Sequence, residues 1–217
     1  MSSEPMVSAV MPCRGRTSLA QKSLECFLAQ TWPAKELIIV DDAEKPAFPV
    51  RPTLPGVYYW AEPGRKLVGA KRNLAVSRAH GKIIIHWDSD DHSSPLRMRD
   101  QVERLLSSGF PVTGYRSMLF LDEKNKRAWR YRGALDFALG SSLCYLKSFW
   151  AKHTFPVNAQ VGEDSWFVRQ AKGRIASVDA GSMMYAREHA ENTYNRVAAK
   201  QKDKMHWESL AWPGEAA

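Results

Sequence analysis

The feature that most constrains this chain is the alternation of short, wholly apolar runs with segments of helical period. Val7-Ser8-Ala9-Val10-Met11, closed by Pro12, and Leu37-Ile38-Ile39-Val40, closed by Asp41-Asp42, read as buried strands. Between them Thr17 or Ser18 can cap a helix carrying Leu19, Leu24, Phe27 and Leu28 and ending near Trp32-Pro33. Strands apolar on both faces and joined by a helix are the mark of a parallel sheet covered by helices. The pattern then repeats. Residues 57–60 read as a strand, residues 68–79 as a helix stopped by Gly81, and residues 83–87 as a strand running straight into Asp88-Ser89-Asp90-Asp91. Pro95 opens a helix to about residue 107, with Leu96, Val102, Leu105 and Leu106 on its apolar side.

After residue 110 the character changes. Residues 112–121 and 128–131 read as strands joined by the polar turn Asp122-Glu123-Lys124-Asn125. Residues 142–146 suggest another strand, residues 163–171 a helix, and the last thirty or so residues are basic and partly helical. The expected fold class is therefore α/β. Residues 1–110 form a doubly wound half with helices on both faces, and residues 111–217 form a mixed half of the same continuous domain.

Composition excludes several classes. At 217 residues, 44% hydrophobic and 25% charged, the chain has the balance of a globular domain. No apolar run is long enough to span a bilayer, and residues 1–5 lack the pattern of a signal peptide. Cys13, Cys26 and Cys144 have neither paired spacing nor histidines at zinc-like intervals, which fits thiols in a reducing cytoplasm. A net charge of +8 favours anionic partners such as nucleotide diphosphates, nucleic acid or acidic lipid, and also serves solubility.

In open α/β sheets, ligands sit beyond the carboxyl ends of the strands. Residues 12–16, Asp41-Asp42 and residues 88–91 all fall at such ends. Carboxylates crowded there repel unless a cation neutralises them, and Mg²⁺ or Mn²⁺ couples one or two carboxylates to substrate phosphates. A divalent metal bridging a diphosphate is the economical reading. A calcium EF-hand loop fails, because Ser93 and Arg99 stand where glycine and glutamate are needed. No P-loop and no Rossmann glycine fingerprint occurs.

Five segments then occur in an order that resembles the family 2 glycosyltransferases of GT-A fold. They are Val10-Met11-Pro12-Cys13-Arg14-Gly15-Arg16, Leu37-Ile38-Ile39-Val40-Asp41-Asp42, Gly69-Ala70-Lys71-Arg72-Asn73, Asp88-Ser89-Asp90-Asp91 and Gly162-Glu163-Asp164. The resemblance implies a Rossmann-like, mostly parallel sheet with a smaller acceptor-side subdomain, and a soluble cytoplasmic enzyme. It also implies metal-dependent, inverting transfer of a sugar from a nucleoside diphosphate donor, UDP-linked, using Mn²⁺ or Mg²⁺.

Roles follow by position. Pro12, Arg14 and Asp41 match the nucleobase pocket, with Arg16 beside them and Asp41 suited to accept from a uracil imide. Lys71, Arg72 and Asn73 match a helix start near the nucleotide, and Asp90 matches the carboxylate near the ribose. Asp91 matches the metal ligand, Asp88 completes the Asp-x-Asp pattern, and His189 resembles a late histidine that completes coordination. Asp164 matches the general base that takes the acceptor hydroxyl's proton. Glu163 and Trp166 stand beside it on the acceptor side.

The acceptor is the open question. A surface glycan or lipid-linked saccharide is the first reading. The second is a hydroxymethylated DNA base, suggested by the basic, aromatic stretch around Trp129 and Arg130 and by Arg196, Lys200, Lys202 and Lys204. Rival classes are a metal-dependent nucleotidyltransferase, weakened by the scarcity of glycine after the first strand, and a binding module without catalysis.

Overall fold

The computed structural model describes residues 4–159, 161–190, 192 and 205–214. The chain begins with β1 (Val7–Cys13), α1 (Thr17–Leu28), β2 (Lys35–Asp41), β3 (Val57–Ala61), α2 (Val68–Ser77) and β4 (Ile83–His86). It continues through β5 (His92–Ser93), α3 (Arg97–Ser108), β6 (Val112–Asp122), β7 (Arg127–Arg132) and β8 (Cys144–Leu146). Then come α4 (Lys147–Trp150), α5 (Glu163–Arg169), β9 (Ile175–Asp179), β10 (Met184–Arg187) and β11 (Trp207–Leu210). Strands β3, β2, β1 and β4 are parallel neighbours, with Val10 opposite both Ile38 and His86. β8 joins β4 antiparallel, and β6, β7 and β11 extend the sheet from there. The sheet thus runs without a break across the residue-110 boundary.

Side chains alternate across the sheet with the period of two that extended backbone imposes. Val7, Ala9, Met11, Leu37, Ile39, Ile83 and Ile85 pack against Leu24 and Phe27 of α1 and Met98, Val102 and Leu105 of α3. Val10, Ile38, Val40 and Ile84 pack on the other face against Ala75 and Val76 of α2 and Phe167 and Val168 of α5. Each such aliphatic side chain contributes about 1.5–3 kcal/mol when removed from water. Helices on both faces explain why these strands are apolar without alternation in the sequence.

Several local expectations are corrected. Neither Thr17 nor Ser18 caps α1; Arg16 occupies the cap in the left-handed region (φ 63°), with no side-chain cap bond. α2 ends at Arg78 without Gly81. Gly81 is required elsewhere, since a Cβ there would stand 2.7 Å from Met6 O and Ser8 Oγ. Leu28, Leu96 and Leu106 are exposed, and α3 instead buries Arg97 and Met98 on its inner face. The strand expected from residue 142 starts at Cys144, because residues 140–142 form a tight 3₁₀ turn. Arg196, Lys200, Lys202 and Lys204 lie outside the described residues, and the described part of the C-terminal stretch carries a strand, β11.

Candidate active site

Because β1, β2 and β4 are parallel and in register, their carboxyl ends share one edge of the sheet. A cavity of about 950 Å³ opens there, lined by Pro12, Arg14, Arg16, Lys71, Arg72 and residues 88–91 from the first half. The second half contributes Gly140, Ser141, Gly162, Glu163 and Asp164. Lys45, Arg65 and Lys66, from the loops after β2 and β3, add cations to the wall; the sequence reading missed them. The rule that places ligands at strand ends marks those loops too.

Gly15 and Arg16 both take positive φ, and the non-glycine residue carries a strain of order 1–3 kcal/mol. Two bonds hold it there: Arg16 Nη1 donates to Asp90 Oδ2 at 2.6 Å and Nη2 to Ser89 Oγ at 3.2 Å. His189 Nε2 lies 3.0 Å from the same Asp90 oxygen. Burial works to raise the Asp90 pKa, but His189 and Arg16 outweigh it and hold the carboxyl below its ordinary value. Arg187, given no role from sequence, donates from Nη1 to Asp90 O at 3.3 Å and pairs with Glu123. Asp90 therefore joins the start of α1, the acidic loop and the end of β10 with the segment after it.

His189, expected to complete a metal's coordination, has Nε2 3.0 Å from Asp90 Oδ2 and 3.5 Å from Arg16 Nη1. Among the described residues no three His, Cys, Asp or Glu side chains converge as a metal cage. Asp88 and Asp91 do line the cavity, and their hard oxygens suit a divalent ion that takes its remaining ligands from phosphates and water.

Arg72 is buried at the centre of the site rather than solvated on a helix face. Its Nη1 lies 2.5 Å from Glu163 Oε1 and its Nη2 3.7 Å from Asp88 Oδ1. Burial opposes its charge, yet Asp88, Glu163 and Asp164 together raise its pKa. Burial in turn raises the Glu163 pKa, with Arg72 acting against the rise. Asp164, half-buried on the next position of α5, accepts from Ser165 N and faces the cavity.

Other expected contacts are taken up internally. The Asp41 carboxylate accepts from Gly15 N, Ala43 N, Ala47 N and Tyr59 Oη, which fills the acceptor sites of a carboxylate. These bonds order the loop after β2. Lys71 Nζ is held by Asp42 Oδ1 at 2.9 Å and Cys13 O at 3.1 Å. Asp42, placed at a strand end by the sequence but given no role of its own, also accepts from Lys66 N and lies 3.5 Å from Arg14. Burial acts to raise its pKa, but these partners lower it overall. Asn73 spends its amide on Phe155 O, Phe155 N and Trp150 Nε1.

Asn73, Trp166, Trp129 and Arg130 do not line the cavity. Trp129 and Arg130 sit in β7, paired with Ser209 and Glu208 of β11, where cross-strand packing claims them. Cys13 and Cys144 are buried thiols whose pKa burial pushes up to about 12. Among the described residues no helix is long and apolar enough to cross a membrane.

The parallel sheet, with a cavity at its carboxyl edge lined by an acidic loop, a second pair of carboxylates and several cations, defines an α/β protein with one charged cleft at the strand ends. The sequence profile of glycosyl transferase family 2 matches residues 8–180, and the chain belongs to that family. It is 30% identical over 111 residues to the succinoglycan biosynthesis protein ExoO of Rhizobium meliloti (strain 1021), covering 50% of this chain and 32% of that protein. It is 27% identical over 125 residues to the putative teichuronic acid biosynthesis glycosyltransferase TuaG of Bacillus subtilis (strain 168), covering 53% and 48%. The chain thus spans less than half the length of these relatives.

Solved structures agree on the fold, which is GT-A. S. aureus TarS 1-349 in complex with UDP superposes with a TM-score of 0.69 at 18% identity, over 84% of this chain and 60% of that one. The mannosyltransferase PcManGT from Pyrobaculum calidifontis, in complex with GDP-Man and Mn²⁺, gives 0.68 at 15% identity, over 93% and 61%.

Proposed function

We propose that the protein transfers a glycosyl group from a UDP-linked sugar to a saccharide hydroxyl, with inversion at the anomeric carbon. One observation carries the reading: Asp88 and Asp91, after β4, and Asp164, at the start of α5, line the same cavity. Lys45, Arg65 and Lys66 supply cations on the wall for a diphosphate. Asp88 and Asp91 would hold Mn²⁺ or Mg²⁺ together with the donor phosphates. When bound, the ion neutralises charge developing on the leaving diphosphate. Asp164 accepts the acceptor hydroxyl's proton as that oxygen bonds to the anomeric carbon and the bond to the diphosphate breaks.

The UDP bound to one structural neighbour and the GDP-Man bound to the other support a nucleoside diphosphate donor, and the Mn²⁺ in the second supports the ion. The names of the two relatives, concerned with succinoglycan and teichuronic acid biosynthesis, support a saccharide as acceptor. A panel of nucleotide sugars, scored by UDP or GDP release with saccharide acceptors or hydroxymethylated DNA, tests the reading. Release from a UDP-sugar with saccharide is expected. Release only with DNA overturns the acceptor, and no release from any pairing overturns the function. Asp91→Ala should abolish Mn²⁺-dependent UDP binding; unchanged binding with the same Mn²⁺ dependence makes the ion's assignment wrong.

A further inference from the structure

Gly140 lies in the turn before β8, and its φ is outside the left-handed region, so its backbone does not demand glycine. The demand comes from Asp164. A Cβ on residue 140 would stand 2.0 Å from Asp164 Oδ2 and 2.8 Å from Asp164 Cβ. The second distance matters more. Rotation about χ1 can swing the carboxylate away, but it leaves Asp164 Cβ in place, so α5 or the turn itself would have to shift. The Asp164 side chain therefore rests on the bare backbone of Gly140.

That backbone is itself tied down. His86 Nδ1 lies 2.6 Å from Gly140 O, and because a carbonyl only accepts, Nδ1 carries the proton. The other ring nitrogen, Nε2, then accepts from Tyr145 Oη at 3.2 Å. Arg97 Nη2 donates both to His86 O at 2.8 Å and to Ser141 O at 2.9 Å. Both side chains are fully buried. His86 ends β4, the strand that delivers the acidic loop, so the turn under Asp164 is registered against the same strand as Asp88.

We propose that Gly140, clamped to β4 by His86 and Arg97, is a positioning residue: a side-chain-free seat that sets the Asp164 carboxylate at its working distance from the acidic loop. The proposal rests on Asp164 acting as the base in the reaction above. A misplacement of about 1 Å at a reacting group costs about 10²-fold in rate. The Cβ of alanine forces a shift of at least that size.

The test compares Gly140→Ala, His86→Asn, His86→Leu and Asp164→Asn with the wild type, measuring kcat and KM for the UDP-sugar and direct UDP affinity. Gly140→Ala should lower kcat about 10²-fold or more while UDP affinity stays within about twofold. The amide of asparagine stands where His86 Nδ1 stands, so His86→Asn should recover most of kcat. His86→Leu should lose up to about tenfold, the worth of one hydrogen bond. Wild-type kcat in Gly140→Ala overturns the proposal, and so does a loss of kcat matched by a loss of UDP binding. Should Gly140→Ala fail to fold, equal kcat in the two His86 variants overturns it. A wild type that releases no UDP, or an Asp164→Asn variant with full transfer, overturns the functional reading instead.

Discussion

Arg72 Nη1 stands 2.5 Å from Glu163 Oε1, a buried ion pair that fastens helix α2 to helix α5. The same guanidinium reaches toward Asp88 and lies 5.9 Å over the Phe155 ring. One side chain of the first half thus sets the height of the helix that carries Asp164.

Removing Arg72 should be costly, because it leaves Glu163 buried without its cation. Arg72→Met is expected to lose about 3–5 kcal/mol, the penalty of breaking a buried pair from one side. Thermal unfolding reads this as a fall in Tm on the order of 10 °C. Arg72→Met with Glu163→Leu should recover much of it. A single variant within about 1 kcal/mol of wild type would show that the pair carries no such weight.

Asp41 separates the sequence reading from the structural one. Its carboxylate satisfies three backbone N–H groups and the Tyr59 hydroxyl, so Asp41→Ala orphans buried donors and should lose about 2–4 kcal/mol in urea denaturation. A residue that only touched a nucleobase would leave stability within about 0.5 kcal/mol.

Asn73 latches the segment before α5. Asn73→Ala strands Trp150 Nε1 and Phe155 N, each worth about 1–3 kcal/mol when buried and unpaired. Hydrogen exchange should report faster opening around residues 150–156, with α1 unaffected. Uniform protection in the variant argues against the latch.

Glu36 gives the expected pH dependence. Burial acts to raise its pKa, but Ser8 Oγ and both nitrogen donors of His80 outweigh it and the net shift is downward. A depressed carboxyl pKa adds stability that is fully present above the unfolded value near 4.5 and is lost as pH falls through the folded value. Glu36→Gln should therefore be less stable at pH 7 and should lose stability less steeply below about pH 4.5. The difference is bounded at about 1.4 kcal/mol per pH unit for one proton. Parallel acid-unfolding curves for the two proteins would remove Glu36 from the account.

The parallel core was legible because its cause is local. Three consecutive isoleucines, Ile83, Ile84 and Ile85, need apolar cover on both faces, and only a sheet between two helical layers provides it. The acidic loop was legible for a similar reason, since residues following a buried strand in such a sheet emerge at its ligand-binding edge. Local signals misled where a distant partner decided. Pro12, Arg14 and Arg16 reach the cavity, whereas Asp41 and Asn73 turn to donors and acceptors that sequence distance conceals.

The βαβ order, the two-sided core and the edge on which Asp88 and Asp91 emerge follow from local pattern. Period and polarity act over a few residues and need no knowledge of the rest of the chain. Which charges face the cavity and which are paired inside follows from packing between distant segments. That packing set Arg72 between Asp88 and Glu163, gave His189 to Asp90, and laid Asp164 against Gly140. Those choices depend on which side chains meet after about 15 to 100 residues of intervening chain have folded, because a buried charge takes whichever partner packing delivers.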